Sequence, residues 1–124
     1  MIAGSSPRFL STTTNALDGF RVVQTYGVVR GIVVRSRGAI GQFGAKLQML
    51  FGGDITLLTD LCERTRSDAY DTAVVHAQSL GANALLALRY DATEVMPGVT
   101  EVLCYGTAAR VAPVKEPDAP LPRA

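Results

Sequence analysis

Three side chains in this chain of 124 residues could hold a soft metal ion or form a nucleophile–base pair: Cys62, His76 and Cys104. A zinc-type site needs three or four nitrogen and sulfur donors, usually in tight pairs such as C-x-x-C or H-x-x-x-H. None of the three lies in such a pair. On one helix, Cys62 and His76 would stand about 21 Å apart at ~1.5 Å per residue. A single copy therefore cannot place both on one ion, and a metal site would have to draw on symmetry-related copies. As a nucleophile, either thiol would need His76 within hydrogen-bond reach. Nothing in the sequence orients that histidine, and apolar neighbours raise a thiol's pKa rather than lower it. The expectation is a protein that is not an enzyme, with no cofactor beyond a metal ion as the one candidate.

Other charged or glycine-rich stretches have plainer readings. Gly38-Ala39-Ile40-Gly41-Gln42-Phe43-Gly44-Ala45-Lys46 has a superficial likeness to a phosphate loop. A phosphate loop needs Gly-Lys followed by Ser or Thr; here Ala45 separates Gly44 from Lys46, and Leu47 follows. Arg30, Arg35 and Arg37 read as a solvated strand edge, where charge discourages stray pairing. Asp60, Glu63, Asp68 and Asp71 are interleaved with Arg64 and Arg66 and read as a charge-balanced helix surface. Asp60 precedes Arg64 by four, the favourable direction for an ion pair.

These residues must be positioned by a few elements. Phe9 to Thr14 forms a short edge strand, followed by turn formers from Asn15 to Gly19. Phe20 to Arg35 is rich in β-branched residues and reads as a long strand. Gly27 and Gly31 interrupt it on one facing and imply bends, a bulge or close approach of another backbone. Residues 38–52 carry a helical stripe of Ile40, Phe43, Leu47, Leu50 and Phe51, weakened by three glycines. A long helix runs from Thr56 to Leu80, capped by Asp54 or Thr56. Its apolar stripe is Leu58, Cys62, Thr65, Ala69, Ala73, His76, Ala77 and Leu80. Gly81 ends it in the left-handed conformation. Ala84 to Val95 is a strand with Leu86, Leu88, Tyr90 and Ala92 on one face. After a turn at Met96-Pro97-Gly98, Thr100 to Val111 returns with Val102, Cys104, Gly106 and Ala108 on one face.

Composition agrees with one compact domain. Hydrophobic residues make up 48% and charged residues 19%, so the chain can build a core and has apolar surface left over for an interface. A net charge of +1 and the absence of tryptophan give no support for a nucleic-acid partner. Met1 to Ser6 lacks the basic start and apolar run of a secretion signal, and no stretch reaches the ~20 apolar residues of a membrane span. A cytoplasmic protein with reduced thiols is expected. The domain boundaries are a flexible lead at 1–8, the domain at 9–112 and a disordered proline-rich tail at 113–124.

The assembled segments resemble the YbjQ-like family, a bacterial-type group labelled heavy-metal-binding. The resemblance runs from Phe9 to Val111. It rests on Ser11-Thr12-Thr13, Tyr26-Gly27-Val28-Val29-Arg30-Gly31, Gly52-Gly53, Tyr70, Leu80-Gly81-Ala82-Asn83-Ala84 and Gly106-Thr107-Ala108. It implies an α+β subunit of β-α-β-β order, dodecin-like, with an antiparallel sheet on one long helix, closed into a homo-oligomeric ring. The ring it implies is typically a pentamer. Two positions depart from the family pattern: Ile32 stands where a glutamate recurs, and Asp54 where an arginine recurs. Both remove a charge that a shared ligand site would use.

The reading is therefore a non-enzymatic, ring-forming homo-oligomer, a pentamer or stacked pentamers, with no nucleic-acid or membrane partner. Its expected interface is Val28, Val29, Ile32, Val33, Phe43, Leu47 and Phe51, with Gly27, Gly31 and Gly106 permitting close backbone approach. The second reading is a module that binds metal ions or a small ligand between subunits.

Overall fold

The computed structural model describes residues 8–36 and 55–114. The expectations placed on 38–52, including Phe43, Leu47 and Phe51, lie outside them, as do Asp54 and the tail beyond Val114. The elements are β1 (Leu10–Ser11), β2 (Phe20–Ser36), α1 (Ile55–Ser79), β3 (Ala84–Met96) and β4 (Val99–Pro113). They form an α+β fold with one helix on a four-stranded sheet of order β1-β3-β4-β2.

The sheet is mixed rather than antiparallel. β4 pairs antiparallel with both β2 and β3, but β1 joins β3 in parallel, with Leu10 opposite Ala84 and Ser11 opposite Leu85. The parallel pairing follows from the loop at Asn15 to Gly19, which sends the chain across to the far edge of the sheet. There β2 begins beside the end of β4, with Phe20 opposite Pro113. Pro113 thus belongs to the sheet and not to a tail, and the Val114 amide donates to the Gly19 carbonyl at 2.8 Å.

The helix lies so close to the sheet because its buried stripe is small. Ala69, Ala73 and Ala77 are fully buried and Thr65 nearly so. Their spacing of four puts them in one line along the helix. Facing them is Gly31, where a Cβ would meet the Ala69 carbonyl oxygen, the Ala73 nitrogen at 2.6 Å and Thr72 Cβ at 2.9 Å. Close backbone approach at Gly31 is therefore made by this chain's own helix. Gly106 likewise faces the Leu86 carbonyl of the neighbouring β3, whereas Gly27 has no atom near a would-be Cβ and occupies a bulge. The C-terminal stop is as read: Gly81 has φ +96°, and its amide donates to Gln78 while that of Ala82 donates to Ala77.

Two apolar clusters occupy opposite faces of the sheet. Under α1 lie Val29, Leu85, Leu88, Val102, Cys104 and Ala108, with Val33 and Tyr70 half-buried against them. On the other face Leu10, Leu17 and Phe20 fold over Ala84, Leu86, Ala109 and Val111. Leu86 and Leu88 were expected on one face and do not share it. The register slips between Leu86 and Arg89, and Ala87 adopts φ +54°. One extra residue there reverses the alternation of side chains. Leu88, Tyr90 and Ala92 consequently face the helix, and Leu86 faces away.

The proposed interface residues divide in the same way. Val29 is fully buried and Val33 half-buried beneath α1, so both pack into this chain's own core. Val28 and Ile32 point to the uncovered side, 67% and 44% exposed. Among the described residues no helix is long and apolar enough to cross a membrane.

Candidate functional site

The three residues singled out for metal or nucleophile chemistry occupy three different environments. Cys62 is exposed on α1, at the mouth of an apolar cleft of about 210 Å³ that Leu61, Thr65, Ala92 and Val102 also line. His76, in the last turn of the helix, is exposed, and its Nδ1 accepts from the Arg30 amide at 3.4 Å. Cys104 is fully buried in the sheet beneath the helix. Both cysteines are free thiols. Among the described residues no group of three His, Cys, Asp or Glu side chains could hold an ion. The chain thus does not bring its three candidates together; the long rigid helix keeps Cys62 and His76 apart.

Arg35 also differs from the solvated edge expected for it. Its Nε donates to Thr65 Oγ1 at 3.3 Å and its Nη2 donates to Asp68 at 3.0 Å, tying β2 to α1. Thr65 in turn donates to the Leu61 carbonyl at 2.9 Å. The ion pair is half-exposed and contributes no more than about 1 kcal/mol.

The convergence of polar groups lies elsewhere, where α1 crosses the free edge of β3. Ser11 Oγ and the Tyr70 hydroxyl share a hydrogen bond of 2.8 Å. Tyr90 stands opposite Cys104 in the strand register. The Arg66 guanidinium lies over the Tyr90 ring, 5.5 Å from its centre, a cation–π geometry. Burial pushes the Cys104 thiol up, and the neighbouring Tyr90 hydroxyl only partly offsets this. Burial, then the neighbouring Cys104 and Tyr70, raises Tyr90, and Arg66 only partly offsets this. Both groups are therefore protonated at neutral pH, which makes Cys104 a poor nucleophile.

A pH dependence follows. Because the folded thiol holds its proton more tightly than the unfolded one, its stabilisation is complete below the ordinary thiol pKa. It is lost as the pH rises towards the raised folded value. Urea midpoints should fall across the alkaline range, and Cys104→Ala should flatten that slope even though the cavity lowers the midpoint at every pH. An unchanged slope would refute the assignment.

Sequence reasoning missed this group because Ser11, Tyr70, Tyr90 and Arg66 come from three elements far apart in the chain. The one available hint was Tyr70, a large aromatic residue beside the small-residue stripe of the helix.

The fold just described, one long helix on a mixed four-stranded sheet, defines a small α+β domain class also seen in a crystal structure from Pediococcus pentosaceus. That protein, described as of unknown function and a DUF74 family member, superposes with TM-score 0.55 at 14% identity, over 86% of this chain and all of the other. At that identity the likeness concerns the fold alone. Sequence relatives are nearer. A UPF0145 protein of Solibacter usitatus is 53% identical over 110 residues, covering 89% of this chain and 98% of the relative. Another, from Chromobacterium violaceum, is 55% identical over 114 residues, covering 90% and 97%. Residues 9–112 match the family model described as "Putative heavy-metal-binding". The chain belongs to this YbjQ-like, UPF0145 family.

Proposed function

We propose that this chain is a non-enzymatic cytoplasmic subunit of a closed homo-oligomeric ring, dodecin-like in plan, a pentamer or a stacked pair of pentamers. The observation that carries this reading is the outer side of the sheet. β2 runs for 17 residues as an edge strand, and Val28, Ile32 and Val34 on its uncovered face are 67%, 44% and 54% exposed. A long apolar edge is an aggregation hazard unless something covers it, and closed symmetry covers it with copies of itself. Sedimentation at about micromolar concentration should give one discrete oligomer. The double substitution Val28→Lys, Ile32→Lys should yield monomers with an unchanged helical signal, since neither side chain contributes to the buried core. A stable wild-type monomer overturns the proposal.

A second reading follows the family description: metal ions held between subunits. Exposed Cys62 and His76 are donors that only a neighbouring copy could complete. It predicts that Zn²⁺ or Cu²⁺ is retained in fixed ratio to subunits, and that Cys62→Ser or His76→Ala abolishes retention without dispersing the assembly. An assembled ring that takes up neither ion rejects it.

A further inference from the structure

The depression between α1 and the free edge of β3 is lined by Ser11, Glu63, Arg66, Tyr70, Leu88 and Tyr90. At about 480 Å³ it is within the size range of small-molecule sites. Its wall carries two opposite charges one helical turn apart, Glu63 and Arg66. Residues so spaced have Cβ atoms roughly 5–6 Å apart, close enough to have paired. They do not: the ion pair formed among the described residues joins Arg35 to Asp68. Arg66 instead lies over the Tyr90 ring, and its five donors make no hydrogen bond among the described residues. Beside it stand the Tyr90 and Tyr70 hydroxyls, the latter already oriented by Ser11. The remaining lining is Ser67, with Leu88 and the face of Tyr90 as its apolar part.

We propose that this depression binds an apolar α-amino acid as its zwitterion. Arg66 and the tyrosine hydroxyls take the carboxylate, Glu63 takes the ammonium group, and the side chain rests on Leu88 and Tyr90. A simple anion would leave Glu63 repelling it at short range, and a simple cation would meet Arg66 in the same way. A molecule carrying both charges a few ångströms apart satisfies both walls at once, by charge-assisted hydrogen bonds to each. The inference rests on this cleft alone and does not depend on the ring or on a metal.

The test is calorimetric titration of the full chain with L-leucine, L-leucine methyl ester and 4-methylpentanoate, at ligand concentrations up to about 10 mM. The ester lacks the carboxylate charge and 4-methylpentanoate lacks the ammonium. L-leucine should bind, and each analogue should bind about tenfold more weakly, the equivalent of losing one charge-assisted contact. Arg66→Met should remove the preference for leucine over its ester, and Glu63→Gln the preference over 4-methylpentanoate. Both sites are on the exposed helix face, so circular dichroism and sedimentation should match wild type. Absence of leucine binding overturns the proposal. So does an analogue that binds as tightly as leucine, or a preference that survives both substitutions.

Discussion

Gly31→Ala should destabilise the fold by more than about 3 kcal/mol, at the upper end of the cost of overpacking a core. The added methyl would meet the carbonyl of Ala69 and the nitrogen of Ala73, with Thr72 also at 2.9 Å. These are backbone atoms in the middle of a 25-residue helix, so no side-chain rotation can make room. The helix would have to lift from β2, opening the contact between Val29 and the alanine stripe. Chemical denaturation followed by the helical signal measures this directly. A loss below about 0.5 kcal/mol, the ordinary scatter of neutral surface changes, would mean that the helix does not rest on Gly31. Gly27→Ala gives a contrast within the same strand: its cost is backbone strain at φ +96°, not collision.

Asn83→Ala should cost about 2–4 kcal/mol through a different mechanism. The Asn83 amide group bonds both ways to one residue. Its Oδ1 accepts from the Val111 amide at 2.8 Å and its Nδ2 donates to the Val111 carbonyl at 3.0 Å. The side chain thus completes the end of the sheet beyond the Ala84–Ala109 pair, where Val111 is buried. Alanine removes both partners and leaves a peptide group in the interior with neither bond made, a penalty of roughly 1–3 kcal/mol for each group left unsatisfied. Amide exchange is the discriminating measurement. The Val111 amide should lose protection selectively, while amides in the middle of the β2–β4 ladder follow only the global change in stability. If Val111 keeps its protection, the bidentate contact is not what holds this corner.

How much of this was legible in the residues depends on how local each signal was. The long helix, its end at Gly81 and the three long strands are set by periodicity and by one glycine, and structure and sequence agree on them to within a residue or two. The stripe of Thr65, Ala69, Ala73 and Ala77 is buried as read, whereas Cys62, His76 and Leu80 from the same stripe are exposed. Cys62 and Leu80 lie at the ends, where a straight helix leaves a twisted sheet, and His76 lies to one side of the Ala73–Ala77 line. Non-local facts were not legible. The parallel partner of β1 depends on where a loop crosses the sheet. Arg35 turns inward because Thr65 and Asp68 happen to lie above it. Ala87 gave no warning of its bulge, since alanine does not mark positive φ as glycine or asparagine would. The polar cluster around Tyr90 required that phase change, and so could not be assembled from alternation alone.

The irregularity at Ala87 divides one continuous strand into two pieces of opposite parity. Upstream, even-numbered positions serve the cover formed by Leu10, Leu17 and Phe20; downstream, even-numbered positions serve the helix. Strict pleating through this point would send Arg89 beneath the helix and turn the phenol of Tyr90 outward. A guanidinium would then sit in the dry interior, and the thiol would lose its aromatic neighbour. A single crooked peptide thus lets thirteen residues line two unlike chambers, and flattening it without losing a residue would turn the strand's outer half inside out.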